Sequence, residues 1–160
     1  MHNQLAMREN DEWYTPKEII QSLGEFDLDP ATSLIAYEQN KSAKRYFTAE
    51  NDGLLQEWHG RVWLNPPYPN PLIQQFLRKM AEHNNGIALV FAKIEAKWFH
   101  DIVLKCATAV KFLYNRVRFY KPDGTQGLQP RNGSMLIAYG RDNAEMLMNN
   151  ALKGKFLFLN

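Results

Sequence analysis

Two hydrophobic periods alternate along this chain, and each predicts a different element. Residues 86–92 read Gly-Ile-Ala-Leu-Val-Phe-Ala, a near-continuous apolar run of strand length that predicts a central strand buried on both faces. Just before it, Leu72, Ile73, Phe76, Leu77 and Met80 fall on one helical face, so an amphipathic helix should cover the sheet. Asn70-Pro71 reads as its N-cap followed by proline. Shorter strands are predicted at residues 26–29, 46–48, 61–64, 110–114, 117–120, 134–139 and 155–159. Helices are predicted at 16–23, 33–39, 97–107 and 144–151, with a helical turn at 54–57. Thr15-Pro16-Lys17-Glu18 has the spacing of a capping box with proline at the first helical position. Strand and helix signals taking turns, with no internal repeat, argue for an α/β sheet with helices packed on it.

Composition narrows the class. A chain of 160 residues with 45% hydrophobic content fits one domain, residues 1–160, with a single core. Residues 1–12 are expected to be a flexible N-terminus. Residues 121–133 form a long loop, with two prolines and three glycines between Tyr120 and Ser134. The single cysteine, Cys106, excludes an internal disulfide and a multi-thiolate zinc site, and points to a reducing compartment. On the helix at 97–107 it is expected to be a small buried residue. His59, His83 and His100 lack metal-ligand spacing, so no metal is expected. With no bilayer-length apolar run and no signal pattern at residues 1–9, the expected address is the cytoplasm, with no membrane partner.

Charge adds a direction. Residues 1–60 carry five Lys/Arg against eleven Asp/Glu, whereas residues 93–131 carry eight against three. The basic stretch is interleaved with Phe112, Tyr114, Phe119 and Tyr120, as a surface that tracks phosphates and stacks bases requires. Arg116, Arg118, Lys121 and Arg131 are the candidate DNA contacts, to phosphate before base. In the loop, Gln126, Gln129 and Asn132 have side chains that read base edges.

The most specific chemistry lies in Asn65-Pro66-Pro67-Tyr68, directly after the predicted strand at 61–64. Methylating an exocyclic amine requires polarising its N–H bonds and turning its lone pair toward a donor. A carboxamide oxygen and a neighbouring backbone carbonyl can do both. The two prolines set φ near about −65° and hold the preceding residues extended, which preorganises those acceptors. Tyr68 offers an aromatic face for a base. Asp29-Pro30-Ala31 also follows a short strand, and in open α/β sheets ligands sit beyond the carboxyl ends of strands. If the two strands are neighbours, Asp29 and Asn65 open onto one crevice. There Asp29 could accept from an ammonium or a ribose, and the helix begun at Thr15-Pro16 could present N–H groups to a carboxylate.

The order Thr15-Pro16, Asp29-Pro30-Ala31, Glu50-Asn51-Asp52-Gly53-Leu54 and Asn65-Pro66-Pro67-Tyr68 resembles the phage and prophage Dam-type DNA N6-adenine methyltransferases. Trp98-Phe99-His100 and Gly133-Ser134-Met135 are similar to that family too. The resemblance covers about residues 13–140. It implies a single-domain, Rossmann-like methyltransferase sandwich with a mixed, mostly parallel sheet, S-adenosyl-L-methionine as cofactor, and double-stranded DNA in a bacterial host cell as partner. By the same resemblance Thr15 and Pro16 lie along the cofactor's methionine end. Asp29, Pro30 and Ala31 lie near the cofactor, and Asp52 near its ribose or adenine. Asn65 and the Pro66 carbonyl hold the target amine, Pro67 stiffens the turn, and Tyr68 stacks on a flipped adenine. Thr32-Ser33 stand where larger methyltransferases carry a glycine-rich turn. The Asn-Pro-Pro-Tyr motif also occurs in enzymes that methylate protein glutamine amides or RNA guanine amines, and a non-catalytic DNA-binding module of the same fold is a further alternative.

Overall fold

In chain order, the elements of the computed structural model are α1 (Lys17–Gln21), β1 (Leu28–Asp29), α2 (Leu34–Asn40), β2 (Arg45–Tyr46), β3 (Val62–Leu64), α3 (Leu72–His83), β4 (Gly86–Phe91), a π-helix (Phe99–Val103) running into α4 (Leu104–Cys106), β5 (Ala109–Leu113), β6 (Ser134–Tyr139), α5 (Arg141–Asn149) and β7 (Gly154–Phe158). The structure describes residues 13–127 and 130–160. The expected flexible N-terminus at 1–12 and loop residue Gln129 lie outside that range.

The seven strands form one mixed sheet in the order β2-β1-β3-β4-β6-β5-β7. β2, β1, β3 and β4 pair in parallel, β6 runs antiparallel to both β4 and β5, and β7 is antiparallel to β5. The core of the sheet is therefore mostly parallel, as the expected fold class requires. β4 sits at its centre, and its alternate residues feed two separate cores. Ala88 and Val90 face α3 and the π-helix, packing with Leu77, Met80, Phe99 and Ile102. Ile87 and Leu89 face the other way, packing with Ile20, Trp63, Ala144 and Leu147 around α1 and α5. This double burial explains why the strand reads as an unbroken apolar run.

Several local expectations change. Residues 117–120 do not form a ladder strand: Tyr120 makes only isolated bridges, to Tyr14 and to Gln126. Reciprocal bonds between Tyr14 and Tyr120, at 2.9 and 2.8 Å, hold residues 13–15 extended alongside that segment. The Thr15 capping box consequently does not form. Pro16 is the N-cap of α1, with ψ 134°, and no side chain caps the helix. Pro71 rather than Asn70 caps α3, again without a side-chain bond. The helical turn expected at 54–57 is a pair of successive turns at its start, with Leu55 N donating to Asp52 O at 2.9 Å and Gln56 N to Gly53 O at 3.4 Å. α2 begins as expected because Ser33 Oγ accepts from Ala36 N at 3.1 Å. Cys106, expected to be buried, is exposed on the last turn of α4. Among the described residues, no helix is long and apolar enough to cross a membrane.

Leu77 is fully buried between α3 and β4. Leu77→Ala should lower unfolding free energy by about 2–5 kcal/mol. Urea denaturation measures this, and a loss below about 1 kcal/mol would show that the helix is not anchored through this face.

Candidate active site

β1 leads through α2 to β2 on one side, while β3 leads through α3 to β4 on the other. The two crossovers leave neighbouring strands in opposite directions, which opens a crevice at their carboxyl ends. Asp29 ends β1, and Asn65 directly follows β3. A cavity of about 570 Å³ lies there, within the range of roughly 300–1,000 Å³ common for small-molecule sites. Its wall contains Thr15, Asp29, Pro30, Ala31 and Asp52 together with all four residues of Asn65-Pro66-Pro67-Tyr68. Pro16 is not part of the wall.

The polar side of the cavity is tightly organised. Asn65 Nδ2 donates to Thr15 Oγ1 at 3.3 Å, which fixes the amide plane. Among the described residues, no donor takes Asn65 Oδ1 or the Pro66 carbonyl. Asn40, at the end of α2, donates through Nδ2 to the Thr15 carbonyl at 3.4 Å. Asp29 is only 3% exposed. Its Oδ1 accepts from Ala31 N at 3.2 Å and its Oδ2 from Ser42 Oγ at 2.5 Å. Burial pushes the Asp29 carboxyl up to about 6, outweighing the lowering effect of the Ser42 and Ala31 hydrogen bonds. Asp52 lies on the exposed rim in the left-handed region, φ 56°, its Oδ1 accepting from Leu54 N at 3.2 Å. Gly53 beside it leaves no room for a side chain, since a Cβ there would stand 2.0 Å from the Pro30 carbonyl.

The other side is aromatic. Tyr68 is half-buried rather than fully exposed: its ring stacks on Phe91 with centroids 5.4 Å apart, and its hydroxyl accepts from Phe91 N at 2.6 Å. Turn and central strand are thereby joined at the cavity wall. Phe119 lines the cavity as well, edge-on to both Phe91 and Trp13.

Arg116, Arg118, Lys121 and Arg131 are exposed and lie outside the cavity wall. Arg118 and Tyr120 flank Phe119, so this basic segment borders the cavity. Residues 118–127 fold back tightly, with Lys121 N donating to Thr125 O and Gly127 N to Phe119 O, both at 2.8 Å. Gln39 Nε2 ties the turn to α2 through the carbonyls of Lys121 and Pro122. Sequence reasoning missed Trp13, Asn40 and Ser42, and it put Phe119 on a base-stacking surface, whereas the structure buries it in the cavity wall. Asn40 and Ser42 sit in a polar stretch with no motif, and Phe119 packs inward against Trp13 and Phe91 beside the Tyr14–Tyr120 pairing.

A mixed, mostly parallel sheet with Asn-Pro-Pro-Tyr at its switch point defines a protein of the methyltransferase-like α/β class. The family model described as DNA N-6-adenine-methyltransferase (Dam) matches residues 2–152, and the chain belongs to that family. It is 37% identical over 101 residues to the DNA N-6-adenine-methyltransferase of Escherichia phage T1, covering 57% of this chain and 40% of that one. It is 28% identical over 142 residues to the DNA N-6-adenine-methyltransferase of Haemophilus phage HP1, covering 82% of this chain and 79% of that one. The matched region thus spans less than half of the phage T1 relative and most of the phage HP1 one.

The raised Asp29 value carries a cost for the fold. A carboxyl at about 6 when folded and 3.8 when unfolded binds more protons in the native state. Its contribution to stability is present at low pH and lost as pH rises through that window. A neutral amide in its place would suffer no such loss, so Asp29→Asn should be more stable than the parent at pH 7.5 by about 2–3 kcal/mol, the gap closing toward pH 4. Urea unfolding at the two pH values measures it; the same offset at both would show that the carboxyl charge is not responsible.

Proposed function

We propose that this chain transfers a methyl group from S-adenosyl-L-methionine to the exocyclic N6 amine of adenine in double-stranded DNA, with the base turned out of the helix into the cavity. The observation that carries this reading is the Asn65 carboxamide, held by Thr15 at the β1/β3 crevice beside the buried Asp29. Names of the two phage relatives agree with the reaction.

The residues present suit the cofactor. Its groups are an adenosine, a cationic sulfonium and an amino acid, and the wall combines aromatic faces with a buried carboxyl and two carboxamides. Asp29, Pro30 and Ala31 would hold it from the end of β1, Thr15 from the opposite lip with Pro16 behind it, and Asp52 from the rim. When bound, S-adenosyl-L-methionine would supply an electrophilic methyl group, its sulfur–methyl bond breaking to leave neutral S-adenosylhomocysteine. The protein contributes position and acceptors. Asn65 Oδ1 and the Pro66 carbonyl accept the two N–H bonds of the amine, which turns its lone pair out of the ring and stabilises positive charge as the N–C bond forms. A proton then leaves the nitrogen for solvent. Pro67 restricts the backbone between acceptor and aromatic, and Tyr68, braced on Phe91, stacks on the adenine. No covalent enzyme intermediate is required, and Cys106 on the outer turn of α4 takes no part.

Turning a base out costs a few kcal/mol, which contacts along the backbone must offset. Arg116, Arg118, Lys121 and Arg131, all exposed, would serve that purpose, Arg118 directly beside Phe119 of the cavity wall. Asn65→Ala should lower adenine methylation of DNA by about 100-fold or more while leaving the melting temperature near that of the parent. Digestion of DNA from expressing cells with methylation-sensitive nucleases reads the first and a thermal melt the second; full protection in the variant would remove Asn65 from the chemistry. Arg118→Ala should weaken binding to every duplex alike and reduce the salt slope by about 1. A fluorescence-anisotropy titration across salt concentrations tests this, and an unchanged slope would take Arg118 out of the interface.

A further inference from the structure

Asn40 is the one buried side chain in the cavity wall whose hydrogen bonding is left half finished among the described residues. It is 7% exposed. Its Nδ2 donates to the Thr15 carbonyl at 3.4 Å. A carbonyl can only accept, so the amide nitrogen must face Thr15 and the oxygen must face away from it. That oxygen, Oδ1, is buried and has no partner, although the residue lines the cavity. Leaving such an acceptor unmet is costly enough to expect a purpose.

We propose that Asn40 is a cofactor-binding residue whose Oδ1 accepts a hydrogen bond from the α-ammonium of S-adenosyl-L-methionine. This rests on the methyl-donor reading above. An amide oxygen seeks a donor, which excludes the cofactor's carboxylate and its sulfur. Among the remaining donors, position selects the ammonium. One residue, Thr15, binds both Asn40 through its carbonyl and Asn65 through its hydroxyl. The reacting methyl must reach the amine held at Asn65, so the cofactor's sulfonium end belongs beside Thr15. The ammonium hangs from the sulfur by a short carbon chain, whereas the adenine amino group lies at the far end of the nucleoside. The ribose hydroxyls are as few bonds from the sulfur, but the Asp52 carboxylate on the rim is the acceptor assigned to them, and methylthioadenosine, which keeps both hydroxyls, separates the two cases. Asp29, the other buried acceptor, has Ala31 N on one oxygen and Ser42 Oγ on the other and keeps further lone pairs for the cofactor, whereas Asn40 Oδ1 has no partner at all among the described residues.

Calorimetry on the full chain tests the assignment with three probes: S-adenosylhomocysteine, its analogue with the α-amino group replaced by hydrogen, and methylthioadenosine, which lacks the amino acid altogether. The wild type should prefer S-adenosylhomocysteine to the des-amino analogue by about tenfold or more. Asn40→Ala should cut that preference to within about twofold while leaving methylthioadenosine affinity unchanged. Asn40→Leu, close in volume, should do the same and serves if the alanine variant does not fold. A preference that survives in the variants, or its absence in the wild type, would overturn the assignment and leave the methyl-donor reading standing. Equal losses for methylthioadenosine and S-adenosylhomocysteine would overturn it too, by showing that Asn40 only supports the wall. If the wild type takes up none of the three, the methyl-donor reading itself fails, and this inference with it.

Discussion

Two crossovers diverging from neighbouring strands create the opening around which this molecule is organised. Because β1 sends its chain toward β2 and β3 sends its chain toward β4, a gap opens between them at their carboxyl ends. Asp29 and Asn65 stand on its two sides. The remaining structure serves to keep that gap polar within and rigid without. α3 and the π-helix fill one face of the sheet, α1 and α5 the other, so the strand ends are carried on a support packed from both sides.

Rigidity at the crevice comes from unlike contacts converging on few residues. Thr15 reaches it because residues 13–15 pair with Tyr120 instead of winding into α1. Its hydroxyl and carbonyl then orient two carboxamides. Tyr68 closes the opposite side through a ring stack and a hydrogen bond on the same strand-end residue, Phe91. Asp29 runs against folding: a carboxyl that burial pushes up to about 6 is kept where a neutral amide would escape the cost of burying the charge. Strain of that kind concentrates at functional sites.

Much of this was legible in the sequence, for identifiable reasons. The unbroken run at 86–92 announced a strand buried on both faces, and α3 showed its apolar stripe because one side packs and the other meets solvent. The placement of Asp29 and Asn65 on one crevice followed from strand-end logic, and nine of the candidate residues do share the cavity wall. What could not be read was decided at long range. Thr15 has the spacing of a helix cap, yet a partner fifty positions away takes its hydroxyl. Residues 117–120 alternate like a strand, but among the described residues their ladder-like partners are single residues, Tyr14 and Gln126. Asn40 and Ser42 carry no pattern, since burial of an isolated polar residue leaves no periodic trace.

Whether this crevice presents an adenine amine to a methyl donor is decided by the product it makes. Purified protein is incubated with S-adenosyl-L-methionine and duplex DNA, and the DNA is then digested to nucleosides for mass spectrometry. N6-methyl-deoxyadenosine is the expected methylated product. Methyl-deoxycytidine in its place, or no modified nucleoside with any duplex supplied, would contradict the geometry drawn for Asn65 and the Pro66 carbonyl.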